Sequence, residues 1–119
     1  MIACSHLEQF LHWLLKVTIN IKYVNSGETV GSQKVKKSGI AIIVSDNGIG
    51  IPEKQKDKVF TKLFRSPNAR AKEPDGMGIG LYIVKLIINH MKGELWLDSE
   101  ENKGSTFYAI VPVEGVLNR

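Results

Sequence analysis

The sequence predicts an α+β domain: a two-layer sandwich in which a mixed, mainly antiparallel sheet carries helices on one face. Three observations predict it. Some segments space their apolar residues at helical intervals, others alternate apolar and polar residues as strands do, and two glycine-rich turns stand where a helix is about to begin.

The elements follow in chain order. Residues 6–16 place Leu7, Phe10, Leu11, Leu14 and Leu15 on one helical stripe, with Ser5 before them as an N-cap. The period then changes: Val17, Ile19, Ile21 and Tyr23 alternate with Thr18, Asn20 and Lys22, which predicts a strand. Asn25, Ser26 and Gly27 read as a turn, residues 28–35 as a short strand, and residues 36–39 as a second turn before a buried strand over residues 40–45. Asp46-Asn47-Gly48-Ile49-Gly50-Ile51-Pro52 breaks that strand, and Pro52 suits the first turn of a helix over residues 53–64, with Val59, Phe60 and Leu63 on one face. Residues 65–75 carry two prolines and read as a surface loop. Gly76-Met77-Gly78-Ile79-Gly80 opens a helix over residues 81–91, where Leu81, Val84, Ile87, Ile88 and Met91 share a face and Gly93 ends the helix. Residues 94–99 and 106–111 form an antiparallel pair joined by a polar turn.

The 119 residues make one domain over residues 1–119, long enough to bury a core and too short for two. With 43% hydrophobic and 24% charged residues, the balance excludes a disordered chain. No apolar run approaches the ~20 residues a membrane crossing needs. Residues 1–5 lack the pattern of a signal peptide, which predicts the cytosol. Cys4 is the single cysteine and has no internal disulfide partner; no Cys or His cluster has metal-ligand spacing. The net charge of +4, from 16 basic and 12 acidic residues, suits a polyphosphate as well as a nucleic acid. The lysine clusters (Lys34, Lys36, Lys37 and Lys54, Lys56, Lys58) have no interleaved aromatics to stack bases, so they read as solvated faces and not as a nucleic-acid groove.

The glycine turns carry the chemistry. Asp46 stands at the end of a buried strand, where a carboxylate must find donors. The exocyclic amine of a purine would serve; so would the first N–H groups of a following helix, with Asp46 as a plain cap. Gly48 and Gly50 would let the backbone turn tightly and approach a flat ligand. Gly76, Gly78 and Gly80 open a helix whose free N–H groups and dipole attract phosphate. Their spacing is neither a dinucleotide fingerprint nor a Walker loop.

Taken together and in order, Asp46 to Pro52, then Phe60-Thr61-Lys62-Leu63-Phe64-Arg65, then Asp75-Gly-Met-Gly-Ile-Gly-Leu-Tyr-Ile-Val-Lys85, then Gly104-Ser105-Thr106-Phe107, resemble the G1 box, F box, G2 box and final hairpin of the sensor histidine kinases. The resemblance spans residues 40–112 and implies the Bergerat (GHKL) ATP-binding fold. It implies that Asp46 holds the adenine amine, with Asn47, Gly48 and Gly50 around it. Residues 64–75 would form the ATP lid, with Phe60 and Phe64 anchoring it and Arg65, Arg70 and Lys72 as charges for the γ-phosphate. Gly76, Met77, Gly78, Ile79, Gly80 and Leu81 would meet the phosphates. Ser105 or Thr106 would lie near the adenine; the motif leaves the pair open, and Thr106 is carried as the contact.

The family's N-box helix fits poorly. Residues 13–23 match it either from Leu14-Leu15, which puts Val17 at the Mg2+ position, or from Lys22-Tyr23, which puts Ile19 there. The two registers differ by two residues, about 200° of helix rotation, so no ideal helix satisfies both. Asn20 is the nearby candidate metal ligand, set against a reading as a polar surface residue. Lys22 and Tyr23 enter as ATP contacts through the second register, and a helix ending early before a strand over residues 17–23 would account for the change of period. The resemblance implies ATP and Mg2+ as cofactors, a phosphoacceptor histidine domain in cis or in trans as partner, and a response regulator indirectly. His6, His12 and His90 do not stand in a phosphoacceptor motif, and neither a dimerisation segment nor the strand that usually precedes the N box is read in the chain. No catalytic residue is assigned. The competing function is a nucleotide-binding or protein-interaction module derived from such a kinase and impaired in catalysis.

Overall fold

The computed structural model describes residues 16–61 and 80–113. Strands β1 (Val17–Val24), β4 (Gly39–Asp46), β5 (Glu94–Glu100) and β6 (Gly104–Pro112) form one sheet in the order β1-β4-β6-β5. Every pairing in it is antiparallel. Helix α1 (Gly80–His90) packs on β5 and β6, and a 3-10 helix, Glu53–Lys58, lies beside β5. The α+β expectation holds, and the described sheet is antiparallel throughout.

The register sorts side chains into two faces, because residues directly opposite each other across antiparallel strands point the same way. Val17, Asp46, Ser105 and Ser99 form one transverse row, and Ile19, Val44, Phe107 and Leu97 form the next on the same face. Phe60 packs edge-on against Phe107, with ring centroids 6.2 Å apart, so the segment after the 3-10 helix covers this face. The opposite face carries Asn20, Ile43, Tyr108 and Trp96 in one row and Lys22, Ala41, Ile110 and Glu94 in another.

A small hairpin covers that opposite face. The expected strand over residues 28–35 is split into β2 (Thr29–Val30) and β3 (Gln33–Lys34), joined through Gly31 at φ 61°. A first loop residue at positive φ suits the twist of a two-residue hairpin turn. Its Val30, with Val35, closes a core of Val24, Ala41, Trp96 and Ile110. Trp96 stacks on Tyr108 with centroids 5.3 Å apart. Asp98 pins the turn by accepting from Ser32 N–H at 3.0 Å, and Glu94 accepts from Lys36 N–H at 3.0 Å.

Other expectations change in detail. Pro52 stands outside the 3-10 helix as its N-cap, with ψ 144°, and not within its first turn. The C-terminal stop of α1 is a Schellman motif in which Lys92, not Gly93, takes the left-handed conformation (φ 58°). Gly93 N–H donates to Ile88 O at 2.9 Å and Lys92 N–H to Asn89 O at 3.0 Å. Gly93 is needed for another reason: a Cβ there would collide with the carbonyl oxygen of Ile110. Of the predicted apolar stripe on α1, Ile88 is buried while Val84 and Ile87 are exposed. The expected helix over residues 6–16 and the glycine turn at residues 76–79 lie outside the described residues.

Candidate nucleotide site

Asp46 is the last residue of β4, flanked across the ladders by Val17 and Ser105. Its Oδ1 accepts Gly48 N–H at 2.9 Å and Ser105 N–H at 3.3 Å. The first bond closes a tight turn directly after the strand, which short Asp side chains favour. The second ties the same oxygen to the neighbouring strand. Among the described residues no hydrogen bond engages Oδ2. The carboxylate is therefore fixed through one oxygen, with the other left to meet a donor.

The turn that follows is held by the β5–β6 hairpin. Asn102 N–H donates to Ile49 O at 2.6 Å, and Ile51 N–H donates to Ser99 Oγ at 2.7 Å. Gly50 (φ 71°) and Gly104 (φ 123°) make the contact possible, since a Cβ on the first would meet the Glu100 carbonyl and one on the second the Asp46 carbonyl. Gly50 was expected to let the chain approach a flat ligand. What its missing side chain admits, among the described residues, is the backbone of the hairpin. Asn47 faces the other way along the sheet edge: its Oδ1 accepts Lys16 N–H at 2.6 Å, extending the β1–β4 ladder by one step.

Ser105, not Thr106, shares the row with Asp46. Ser105 is buried, and its hydroxyl lies 2.7 Å from that of Ser99. Thr106 points to the opposite face, where its Oγ1 meets Ser45 Oγ at 3.0 Å. The strand alternation puts Ser105 on the Asp46 side of the sheet and Thr106 on the other, which favours Ser105 of the two residues that the Gly-Ser-Thr-Phe motif left open. A shallow cleft of about 350 Å3 opens beside this corner, lined by Asp46, Asp98, Ser99, Ser105, Thr106 and residues of the hairpin turn.

Residues 17–23, compared with the N box, fall on β1, as the change of period predicts. Residues 17–24 are a strand, not the end of a helix. Asn20 lies opposite Ile43 and Lys22 opposite Ala41, both on the face away from the Asp46 row. Tyr23 shares that row's face but sits opposite Ile40, six positions before Asp46, or about 20 Å along the strand. None of the three reaches the corner at Asp46. Asn20, the candidate metal ligand, thus stands on the other face of the sheet from Asp46, and no group of three or more His, Cys, Asp or Glu among the described residues forms a cation site. No asparagine occurs in the residues before Asn20.

Gly80 and Leu81 stand at the first turn of α1, and a Cβ on Gly80 would meet nothing within 4 Å. Phe64, Arg65, Gly76, Met77, Gly78 and Ile79 lie outside the described residues, as do Arg70 and Lys72. Sequence reasoning missed Ser99. The signal was present in the spacing: with residues 101–103 as the hairpin turn, Glu100 falls opposite Gly104 and Ser99 opposite Ser105.

The described residues form an α+β sandwich in which an aspartate at a strand end, a glycine turn clamped beside it and a helix packed on the same sheet come together. Residues 5–115 match the family model described as "Histidine kinase-, DNA gyrase B-, and HSP90-like ATPase", and the chain belongs to that family. It is 36% identical over 111 residues to the adaptive-response sensory kinase SasA of Prochlorococcus marinus, covering 92% of this chain and 28% of that protein. Against the sensor protein kinase WalK of Staphylococcus saprophyticus it is 34% identical over 101 residues, covering 82% and 17%. Against the autoinducer 2 sensor kinase/phosphatase LuxQ of Vibrio vulnificus it is 37% identical over 100 residues, covering 79% and 12%. The chain thus spans between 12% and 28% of the length of these curated relatives. Among solved structures, a mycobacterial sensor histidine kinase, MprB, superposes with a TM-score of 0.64 at 25% identity, over 82% of this chain and 59% of that one.

Proposed function

We propose that the chain is the ATP-binding catalytic domain of a two-component sensor histidine kinase, a single domain that presents ATP to a histidine carried on a separate domain. One observation carries this reading: Asp46 is immobilised through Oδ1 and, among the described residues, leaves Oδ2 open. A carboxylate so placed accepts a hydrogen bond from the exocyclic amine of adenine without reorganising when the base arrives. In the transfer, the bond between the γ-phosphorus and the bridging oxygen of ATP breaks, a bond from that phosphorus to an imidazole nitrogen forms, and ADP leaves. A response regulator would receive the phosphoryl group from that histidine. The domain works where ATP is supplied, in the cytoplasm; no helix among the described residues is long and apolar enough to cross a membrane.

A second reading is favoured by the strand at residues 17–24. With Asn20 and Lys22 on the far face, the described residues supply neither the family's Mg2+ ligand nor its phosphate-facing lysine. A module that binds nucleotide and transfers poorly is consistent with that arrangement.

Titration with ATP, with and without Mg2+, followed by incubation with a supplied dimerisation and phosphoacceptor domain, separates the readings. ATP binding with phosphohistidine formation supports the kinase. Binding without transfer supports the impaired module. Asp46→Asn is expected to abolish binding, and an unchanged affinity in calorimetry would remove the adenine assignment.

A further inference from the structure

We infer that Ser99 is a positioning residue that sets the choice of purine by fixing the direction of the Ser105 hydroxyl proton. The inference rests on the adenine reading of Asp46. Three contacts converge on one hydroxyl. Ile51 N–H donates to Ser99 Oγ at 2.7 Å, Ser99 donates its own proton to Gly104 O at 3.0 Å, and Ser105 Oγ lies 2.7 Å away.

A hydroxyl has one proton to give and two lone pairs to offer. Ser99 spends its proton on the Gly104 carbonyl, which accepts only. One lone pair is taken by Ile51 N–H, and the other takes the Ser105 proton. The neighbouring hydroxyl is then an acceptor toward anything else that meets it. Ser105 stands directly opposite Asp46, whose carboxylate also only accepts. The corner consequently presents oxygens without protons. An adenine amine, a donor, meets complementary groups there; the carbonyl oxygen at the corresponding position of guanine meets repulsion.

Removing the Ser99 hydroxyl takes the acceptor from Ile51 N–H and the donor from Gly104 O, neither of which discriminates between purines, and it changes Ser105 as well. The Ser105 hydroxyl loses its acceptor and is free to rotate its proton toward a guanine oxygen. Ser99 touches no part of the purine in this scheme and acts through Ser105.

The test is competition between ATP and GTP for the full chain, read as the ratio of their dissociation constants in wild type, Ser99→Ala, Ser99→Thr and Ser105→Ala, with folding checked by circular dichroism. Ser99→Ala is expected to lower the preference for ATP about tenfold, the order of one hydrogen bond. Ser99→Thr, which keeps the hydroxyl, is expected to retain it. Ser105→Ala is expected to lose the preference as well, and the double variant to lose no more than Ser105→Ala alone. A Ser99→Ala protein with the wild-type ratio overturns the inference even if both affinities fall, because a purely structural role moves affinity and not the ratio. Where Ser99→Ala does not fold, a wild-type ratio in Ser105→Ala overturns it equally. Unchanged ATP affinity in Asp46→Asn overturns the adenine reading itself, and is distinguished by leaving both nucleotides bound regardless of Ser99.

Discussion

The α-carbon of Gly104 lies so close to the carbonyl oxygen of Asp46 that a methyl group on it would collide with that oxygen. The aspartate and the hairpin glycine come from opposite ends of the motif order, and their contact is what seats the strand end against the β5–β6 turn. Gly104 also sits at φ 123°, where L side chains are strained. Gly104→Ala is expected to cost about 1–3 kcal/mol from backbone strain alone, before any collision. Thermal unfolding followed by circular dichroism should show a fall of roughly 5 °C or more. Nucleotide affinity should fall with it, because the atoms displaced belong to Asp46. A melting point equal to that of the wild type would mean that the hairpin does not hold the turn.

Asn20 and Lys22 supply a sharper contrast with the family pattern. On the family's helix Asn20 would stand one residue from the metal position and Lys22 at the lysine position of the second register; on β1 they face away from Asp46. Asn20→Ala and Lys22→Ala are therefore expected to leave ATP affinity, and any dependence of that affinity on Mg2+, within about twofold, as for ordinary surface substitutions. A tenfold loss in calorimetry with Mg2+ present, absent without it, would return Asn20 to the metal.

Much of this was legible in the sequence, for reasons particular residues make plain. The alternation of Val17, Ile19, Ile21 and Tyr23 gave β1 its strand period, and Asp46 followed by closely spaced glycines marked the break after β4. The resemblance of residues 22–23 to the end of a helical motif competed with that period, and the period was the better guide because register, not residue type, decides which face a side chain joins. Which of Ser105 and Thr106 shares a face with Asp46 was hidden for the same reason: adjacent residues on a strand differ by a face, and only pairing with Asp46 fixes the parity. The purpose of Gly50 was hidden because the backbone it admits, at Glu100, lies fifty residues further on. Lys92 in the left-handed conformation had no sequence signal beside the more favoured Gly93.

Thr106 offers a direct check on that parity. Its hydroxyl meets Ser45 Oγ on the face opposite Asp46. Thr106→Val is expected to lower stability by about 1 kcal/mol through the lost hydrogen bond, while ATP affinity stays within about twofold. Chemical denaturation and calorimetry on one preparation read both quantities. A variant that keeps its stability and loses ATP would place Thr106, and not Ser105, at the base.

Tyr108 links the hairpin face to pH. Burial raises the pKa of its phenol above the ordinary value of 10.0, and the hydrogen bond and negative charge of Asp98 raise it further. The same Asp98 holds Ser32 N–H, and a Cβ on Gly31 would press on the Tyr108 ring, so phenol, carboxylate and hairpin turn are packed as one unit. A phenol whose folded pKa exceeds its unfolded one favours the protonated form when folded. Its contribution to stability is therefore fully present below the unfolded pKa, near 10, and is lost as pH rises from there through the folded pKa. Urea unfolding measured from about pH 9 to about pH 11 is expected to show a steeper loss of stability in wild type than in Tyr108→Phe, which has no phenol to ionise. Groups that titrate in both proteins cancel in the comparison. Parallel curves would mean that the phenol ionises as readily folded as unfolded, and that Asp98 secures the hairpin turn without opposing a charge on its neighbour.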